Sequence, residues 1–464
     1  MRSPALTQEI KSLVDARDFA GVRSRILQWP PADLAELLTD MESRELAITF
    51  RLLPKPLAAD VFEYFEHDKQ EELIQALGRA QVASILNEMS DDDRTAFLEE
   101  VPEHAVRLLG LLSPEEQRVA LQLLGYPEDS VGRLMTTRYL TARPDWTVAE
   151  ALEHLRETAK EIDHLNVIFV VNDKGKVLGW FRLREFLLRP PSVQVKEFMD
   201  TNYVALHATD PQEDAVSMFK KYDRTMLPVV DATDTLLGAV TVDDVLDVAE
   251  EEATEDIQQM GGQAAFHEPY LDVSFLKMLQ KRAGWLVVLF LGETLTATAM
   301  SYFEDEIAKA TVLALFIPLI IASGGNSGSQ SSTLVIRAIA LEEARLRDWW
   351  RVLKRELVTG FGLGAILGII GFMRVCIWQG MSNVTTIFTN YGDHWVLLGL
   401  TVFTTLLGVV LWGSIAGAMM PFLMKRLGFD PAVSSAPFVA TIVDVTGLLI
   451  YFSVAYALLH GTVL

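Results

Sequence analysis

Apolar and polar positions change their period several times along the chain. Up to about residue 127, apolar residues recur at helical spacing in short blocks. Fresh starts follow at Pro54, His67, Arg79, Ser90, Pro102 and Ser113. Ser113-Pro114-Glu115-Glu116 reads as a capping box with proline at the first helical position, where its missing N–H costs nothing. Short helices that each carry one apolar face must stack to bury it, so residues 1–127 are expected to form an α-solenoid.

Residues 128–250 switch to a β-rich, repeating pattern. The segments 134–152 and 198–216 open two similar units, each with a helix after a Pro or Asp turn. VIFVVNDKGKVLGWFRLREFL (167–187) and MLPVVDATDTLLGAVTVDDVL (226–246) close them. Each closing half reads as two strands joined by a polar turn and followed by a helix, and both approximate a D-x-x-G-x-x-x-G layout. Residues 251–280 form a linker in which EEATEDIQQM is helical, GGQAAFHEPY breaks the helix and LDVSFLKMLQKR resumes it.

From residue 281 to 464 the pattern is apolar. Five runs, at about 283–302, 310–336, 354–378, 395–423 and 433–460, are each long enough to cross ~30 Å of hydrocarbon as a helix. The connection 337–355 carries Arg337, Arg345, Arg347, Arg351, Lys354 and Arg355, and 424–432 carries Lys425 and Arg426. By contrast 379–394 has no Lys or Arg, and 302–310 has only Lys309. Basic loops stay cytoplasmic. The expected arrangement is therefore a multi-pass protein of the plasma (inner) membrane, with the N-terminus cytoplasmic and the C-terminus outside. The polar start of the chain has no apolar core of a signal peptide.

Charge separates along the same line. Up to Gln280 there are 51 acidic and 28 basic side chains, and from Lys281 onward 11 and 12. So acidic a soluble half argues against nucleic acid, which is bound through Lys and Arg on phosphates, and is compatible with cations. The one cysteine, Cys376, lies in an apolar run and supports neither a disulfide framework nor a thiol metal site. No nucleotide-hydrolysis or nucleophile-elbow motif and no H-x-x-x-H pair is present, so nothing points to an enzyme.

Three features carry candidate chemistry. Asp444 is a lone carboxylate deep in the fifth run, where a charge costs at least ~2.5 kcal/mol and therefore marks a pore or a partner, with a protonated, hydrogen-bonded Asp as the alternative. SGGNSGSQSST (323–333), with Gly325, Asn326, Gly328 and Ser329, suits either a water-filled path or close helix packing. Together these offer hard oxygen ligands, favouring Mg²⁺, Ca²⁺ or Mn²⁺ over soft-ligand metals. Glu293 in the first run is a further candidate, with snorkelling or capping as its alternative. In the soluble half, Asp91–Asp93 stand at a helix start, and Asp243, Asp244 and Asp247 precede Glu250, Glu251, Glu252, Glu255 and Asp256. Like charges at i,i+4 repel, so the second run is costly as a merely solvated face.

The paired β-β-α units resemble tandem cystathionine-β-synthase (CBS) domains. The whole order, with the strings TVDDVLDVAEEEATEDI (241–257), PLIIASGGNSGSQSSTLVIRA (318–338) and ATIVDVTGLLIYFSV (440–454), resembles the MgtE family of magnesium channels. The resemblance implies a homodimer with a pore between the two membrane domains, lined around Asp444, Ala440 and Gly447. It implies a "plug" helix at about 258–280. It also implies a Mg²⁺ sensor at Asp60, Asp92, Glu213, Asp223, Asp244, Asp247, Glu252, Glu255 and Asp256. Family CBS pairs include ATP binders, though no pocket is assignable from sequence. Two departures stand out: Ser329 replaces the second Asn of GGNxGNQ, and Ala436 replaces an Asn before Pro437. One sensing acid falls on Ala96 and one on Pro211.

The expected function is Mg²⁺ uptake closed by Mg²⁺ on the acidic soluble half, with Mn²⁺, Co²⁺ and Ca²⁺ left open as further ions. The rival readings are a Na⁺- or H⁺-coupled exchanger and a non-transporting receptor that reports through its CBS pair.

Overall fold

The computed structural model describes residues 4–462 apart from 160, 161, 163, 267–269, 271, 272, 305–310, 342, 382–390 and 461. It divides into two compact units, Met1–Glu250 and Glu251–Leu464. Among the described residues the first unit opens with ten helices: α1 (Pro4–Asp15), α2 (Phe19–Ile26), α3 (Pro31–Thr39), α4 (Ser43–Phe50), α5 (Lys55–Glu63), α6 (His67–Ala76), α7 (Arg79–Glu88), α8 (Asp91–Glu100), α9 (Pro102–Leu109) and α10 (Pro114–Leu123). Several starts are set by side chains that satisfy otherwise unpaired N–H groups. Ser90 Oγ accepts from Asp93 N and Ser113 Oγ from Glu116 N, each at 3.2 Å. Leu38, Leu46, Phe62, Leu86 and Phe97 from successive helices share one core. Phe62 meets Phe97 edge-on at 5.3 Å and so ties α5 to α8.

Two three-stranded sheets follow. In the first, β1 (Leu140–Ala142) pairs parallel with β2 (Val167–Val171), which pairs antiparallel with β3 (Val177–Arg182). Helix α11 (Val148–Thr158) lies between β1 and β2, and α12 (Arg184–Leu188) follows β3. The second repeats this order with β4 (Leu206–His207), α13 (Gln212–Tyr222), β5 (Met226–Val230), β6 (Leu236–Thr241) and α14 (Val242–Met260). Every residue of β2 and β5 is buried, which explains their unbroken apolar runs. The two hairpin turns are equivalent although neither matches D-x-x-G to the letter. Asn172 Oδ1 holds the N–H groups of Lys174 and Lys176, with Gly175 at φ 78°. Asp231 Oδ1 holds those of Thr233 and Thr235, with Asp234 at φ 62°. Asp tolerates this left-handed conformation better than most side chains.

Among the described residues of the second unit five helices are long and apolar enough to cross a membrane: α15 (Phe275–Tyr302), α17 (Ile317–Ala340), α18 (Trp349–Met381), α19 (Trp395–Leu427) and α20 (Ala436–Leu459). The short α16 (Thr311–Ala314) precedes α17. Helices α17, α18 and α20 pack on α19, and α15 packs on α20. Close approach is made possible by glycine. A Cβ on Gly417 would overlap the Gly328 carbonyl oxygen, and one on Gly324 would stand 2.5 Å from Val409. The expected plug helix at 258–280 is not a separate element among the described residues. Its first residues end α14, Gly261 and Gly262 (φ 74°) break the helix, and its last residues are the first turns of α15, capped by Ser274.

Candidate functional site

In the membrane-spanning unit the geometry begins at Asp444, two turns into α20 from Ala436. Its carboxylate rests against the bare backbone of Gly325 on α17. A Cβ at Gly325 would stand 3.3 Å from Asp444 Oδ1 and 3.5 Å from the Ala440 methyl. Asp444, Gly325 and Ala440 thus meet. Gly328 and Gly447 lie in helix contacts, Gly328 against Val439 and the Gly413 carbonyl, Gly447 against Val409. Asn326, next in sequence to Gly325, is exposed, and Glu293 is exposed on α15. Gly292 beside it lies against Thr441 of α20.

The hydroxyls of the polar run are tethers. Ser327 Oγ lies 2.7 Å from Ser414 Oγ, Ser329 Oγ donates to Ala436 O (3.1 Å), and Ser332 Oγ donates to Ser434 O (2.8 Å). Ser331 Oγ donates to Glu356 Oε2 at 2.7 Å. Glu356, two turns inside α18, escaped the sequence reading. Its signal was a carboxylate within the third apolar run. With its serines held by carbonyls and carboxylate, α17 is fixed on three neighbours while Asn326 and Gln330 remain exposed.

In the first unit α5, α8 and α14 bring together Asp60, Glu63, Asp92, Asp93, Asp243, Asp244 and Asp247. The three consecutive aspartates of α8 have different fates. Asp91, 1% exposed, is bound by Arg94 (2.8 Å) and by Thr137, whose N–H and hydroxyl donate at 2.9 and 2.6 Å. Arg94 is fully buried and also pairs with Glu116. Asp92 has no such cation: its Oδ1 is buried without a hydrogen-bond partner, and its carboxyl faces Asp244. Asp244 in turn accepts from the Thr241 hydroxyl and N–H. Burial and the facing carboxylate hold Asp92 well above the usual carboxylate range, and burial raises Asp244. Burial, then the Asp93 charge, pushes Glu63 up to about 8, and burial, then Asp92, pushes Asp93 to about 6. Asp247 is raised by burial and by Asp243.

Four expected sensor residues, Asp60, Asp92, Asp244 and Asp247, therefore share one neighbourhood, joined by Glu63, which the sequence reading missed. Glu213 and Asp223 lie elsewhere, at the two ends of α13. Glu252, Glu255 and Asp256 belong to the second unit, where Gln259 donates to Glu255. Among the described residues no three His, Cys, Asp or Glu side chains converge closely enough to hold a metal ion.

A cavity of about 240 Å³ opens between the two sheets. It is lined by Phe169, Trp180, Arg182, Arg184, Asp223 and Arg224, among others. The Arg224 guanidinium stacks 4.3 Å from the Trp180 ring centre. Three arginines, a carboxylate and aromatic faces suit a ligand with a flat ring and anionic groups.

A family profile described as "Divalent cation transporter" (MgtE) matches residues 317–454. The MgtE intracellular N domain matches 29–129, and CBS domains match 131–190 and 195–251. The magnesium transporter MgtE of Thermus thermophilus is 36% identical over 460 residues, covering 98% of this chain and 99% of its own length. The magnesium transporter MgtE of Bacillus subtilis is 30% identical over 446 residues, covering 96% and 95%. A crystal structure of the cytosolic domain of the Mg²⁺ channel MgtE in complex with ATP matches with TM-score 0.50 and 33% identity, covering 52% of this chain and 99% of that one.

Proposed function

This chain belongs to the MgtE family of divalent cation transporters, and on that premise we propose that it conducts Mg²⁺ along a path bearing Asp444, closed by Mg²⁺ on its acidic soluble unit. The observation that carries the reading is Asp444 set against Gly325. A carboxylate placed where a charge costs at least ~2.5 kcal/mol, packed closely on a bare glycine backbone that offers it no counter-charge, calls for a cation of its own. Mg²⁺ sheds water reluctantly and binds through one or two carboxylates while keeping several waters. A single carboxylate per chain, beside exposed amides, fits a hydrated ion between two copies in a homodimer. Full-length likeness to named magnesium transporters supports transport over a receptor role. The loop charges support an orientation with the soluble unit on the cytoplasmic side of the plasma membrane. The membrane potential supplies ~2.3 kcal/mol per charge per 100 mV, so inward flow needs no fuel.

The acidic neighbourhood around Asp92 and Asp244 is the gate's sensor in this reading. Its carboxylates face one another without enough cations and keep protons that a divalent ion would replace. A ligand shifts an equilibrium only by binding one state better. Mg²⁺ bridging α8 and α14 favours the arrangement in which those helices stay together, and the closed channel is assigned to it. Glu252, Glu255 and Asp256 extend the same acidic helix toward the linker, and Glu213 and Asp223 are secondary ligands. The cavity beside Trp180 is assigned to an adenine nucleotide: ATP is the ligand of the related cytosolic domain, and the arginines here suit its phosphates. The experiment is Mg²⁺ uptake by proteoliposomes at varied Mg²⁺ on the side of the soluble unit. Uptake suppressed as that Mg²⁺ rises supports the reading, and uptake indifferent to it refutes the gate.

A further inference from the structure

At one end of the membrane bundle the chain builds a surface that transport does not use. Between Arg337 and Arg355 six cations are exposed, and the segment carries the exposed Trp349 (48%) and Trp350 (49%) at the very start of α18. Paired indoles at the end of a span mark the headgroup level of a bilayer. Arg351, Lys354 and Arg355 follow at i, i+3 and i+4, so they share one face of the helix. Lys354 reaches back over the Trp350 ring at 5.2 Å. The acids nearby are already engaged, Asp348 by Arg351 at 2.9 Å and Glu343 by Arg337 at 3.9 Å. Among the described residues Arg347, Lys354 and Arg355 form no ion pair.

The platform is held from below. Ala344 and Val352 pack in one apolar cluster with Phe422 of α19, and α19 ends one turn later with the exposed Lys425 and Arg426. Cations from two helices therefore gather at the same edge. Setting the chain's orientation needs only the charges. It does not need them left without acids beside two indoles. We propose that this edge is a binding surface for anionic phospholipids of the adjoining leaflet, with Arg347, Lys354 and Arg355 on the headgroup phosphate and the two indoles at the glycerol level. Clusters of four to eight cations immediately outside a span hold anionic lipid, each contributing about 1 kcal/mol, or about fivefold.

The test is native mass spectrometry of the detergent-purified full chain offered equal phosphatidylglycerol and phosphatidylcholine. The parent retains phosphatidylglycerol about tenfold or more in excess. Arg347→Gln/Lys354→Gln/Arg355→Gln loses most of that excess, while Arg347→Lys/Arg355→Lys keeps it. Should the triple variant lose its monodisperse profile, Lys354→Gln alone lowers the excess about fivefold. No preference in the parent, or an undiminished preference in folded Gln variants, overturns the proposal. So does displacement of the lipid by millimolar glycerol phosphate, which would assign the surface to a free phosphate ligand.

Discussion

The hydroxyl of Ser329 donates to the main-chain carbonyl of Ala436 across 3.1 Å, so the two membrane positions where the resemblance implied an Asn form one contact, 107 residues apart in sequence. A serine there ties α17 to the first turn of α20 and presents no amide toward the ion's water shell. Ser329→Asn and Ala436→Asn are expected to raise discrimination for Mg²⁺ over Mn²⁺, Co²⁺ and Ca²⁺ in competition flux measurements. Because the residues touch, the double variant departs from the sum of the singles. Unchanged ratios in all three would remove these positions from selectivity.

Neighbouring aspartates on α8 are predicted to respond in opposite directions. Asp91→Asn takes one of its two carboxylate partners from the fully buried Arg94, which keeps Glu116, and costs about 1–3 kcal/mol, as losing one partner of a buried polar group does. Asp92→Asn removes one of two facing carboxylates, so it raises the melting temperature in Mg²⁺-free buffer and shrinks the gain that Mg²⁺ brings. Thermal melts of the purified full chain with and without Mg²⁺ check both. An Asp92→Asn chain stabilised by Mg²⁺ as strongly as the parent would place the sensor elsewhere.

The same cluster sets a pH dependence. Glu63 ionises at about 8 in the folded chain against an ordinary 4.5, and Asp93 at about 6 against 3.8. Between those limits the folded state holds more protons than the unfolded one. The stability that these two groups contribute without Mg²⁺ is therefore full below about pH 4, falls as pH rises toward 8, and is flat beyond. Mg²⁺ displaces these protons, so its stabilising effect is larger at pH 8 than at pH 5.5. Glu63→Gln flattens the upper part of the curve. Melting temperatures across this range with and without Mg²⁺ test the sign.

The five spans and the six front helices that start between Pro54 and Ser113 were legible because each is long or repeated enough for its apolar period to show. The strands Leu140–Ala142 and Leu206–His207 were not, since three and two residues carry no period. They exist because β2 and β5 need a partner on their open edge. Asp444 announced itself by its depth in an apolar run, whereas Glu63 gave no local signal. Its role comes from folding, which sets the end of α5 against Ser90, whose N–H donates to Glu63 at 3.1 Å. The break in the linker was legible as well, since Gly261-Gly262 interrupts the helical pattern between EEATEDIQQM and LDVSFLKMLQKR. Part of the Gly/Ser run also turned out to be packing, with Gly328 serving α19.

That packing predicts a sharp steric limit. A Cβ at Gly417 would overlap the carbonyl oxygen of Gly328, and two helix backbones cannot yield as a flexible side chain can. Gly417→Ala is expected to destabilise the membrane unit by about 1–3 kcal/mol or to rearrange it. Gly362→Ala, with open space around it, is neutral. Melting of the two variants in the same detergent separates them.

The central claim rests on the charge of Asp444, and Mg²⁺ flux into proteoliposomes by Asp444→Asn tests it most directly. The substitution nearly keeps the shape of the side chain against Gly325 while removing the charge. Flux is predicted to fall at least tenfold, with the size-exclusion profile of the parent retained. Flux at the parent's rate from such a well-folded variant would contradict the account.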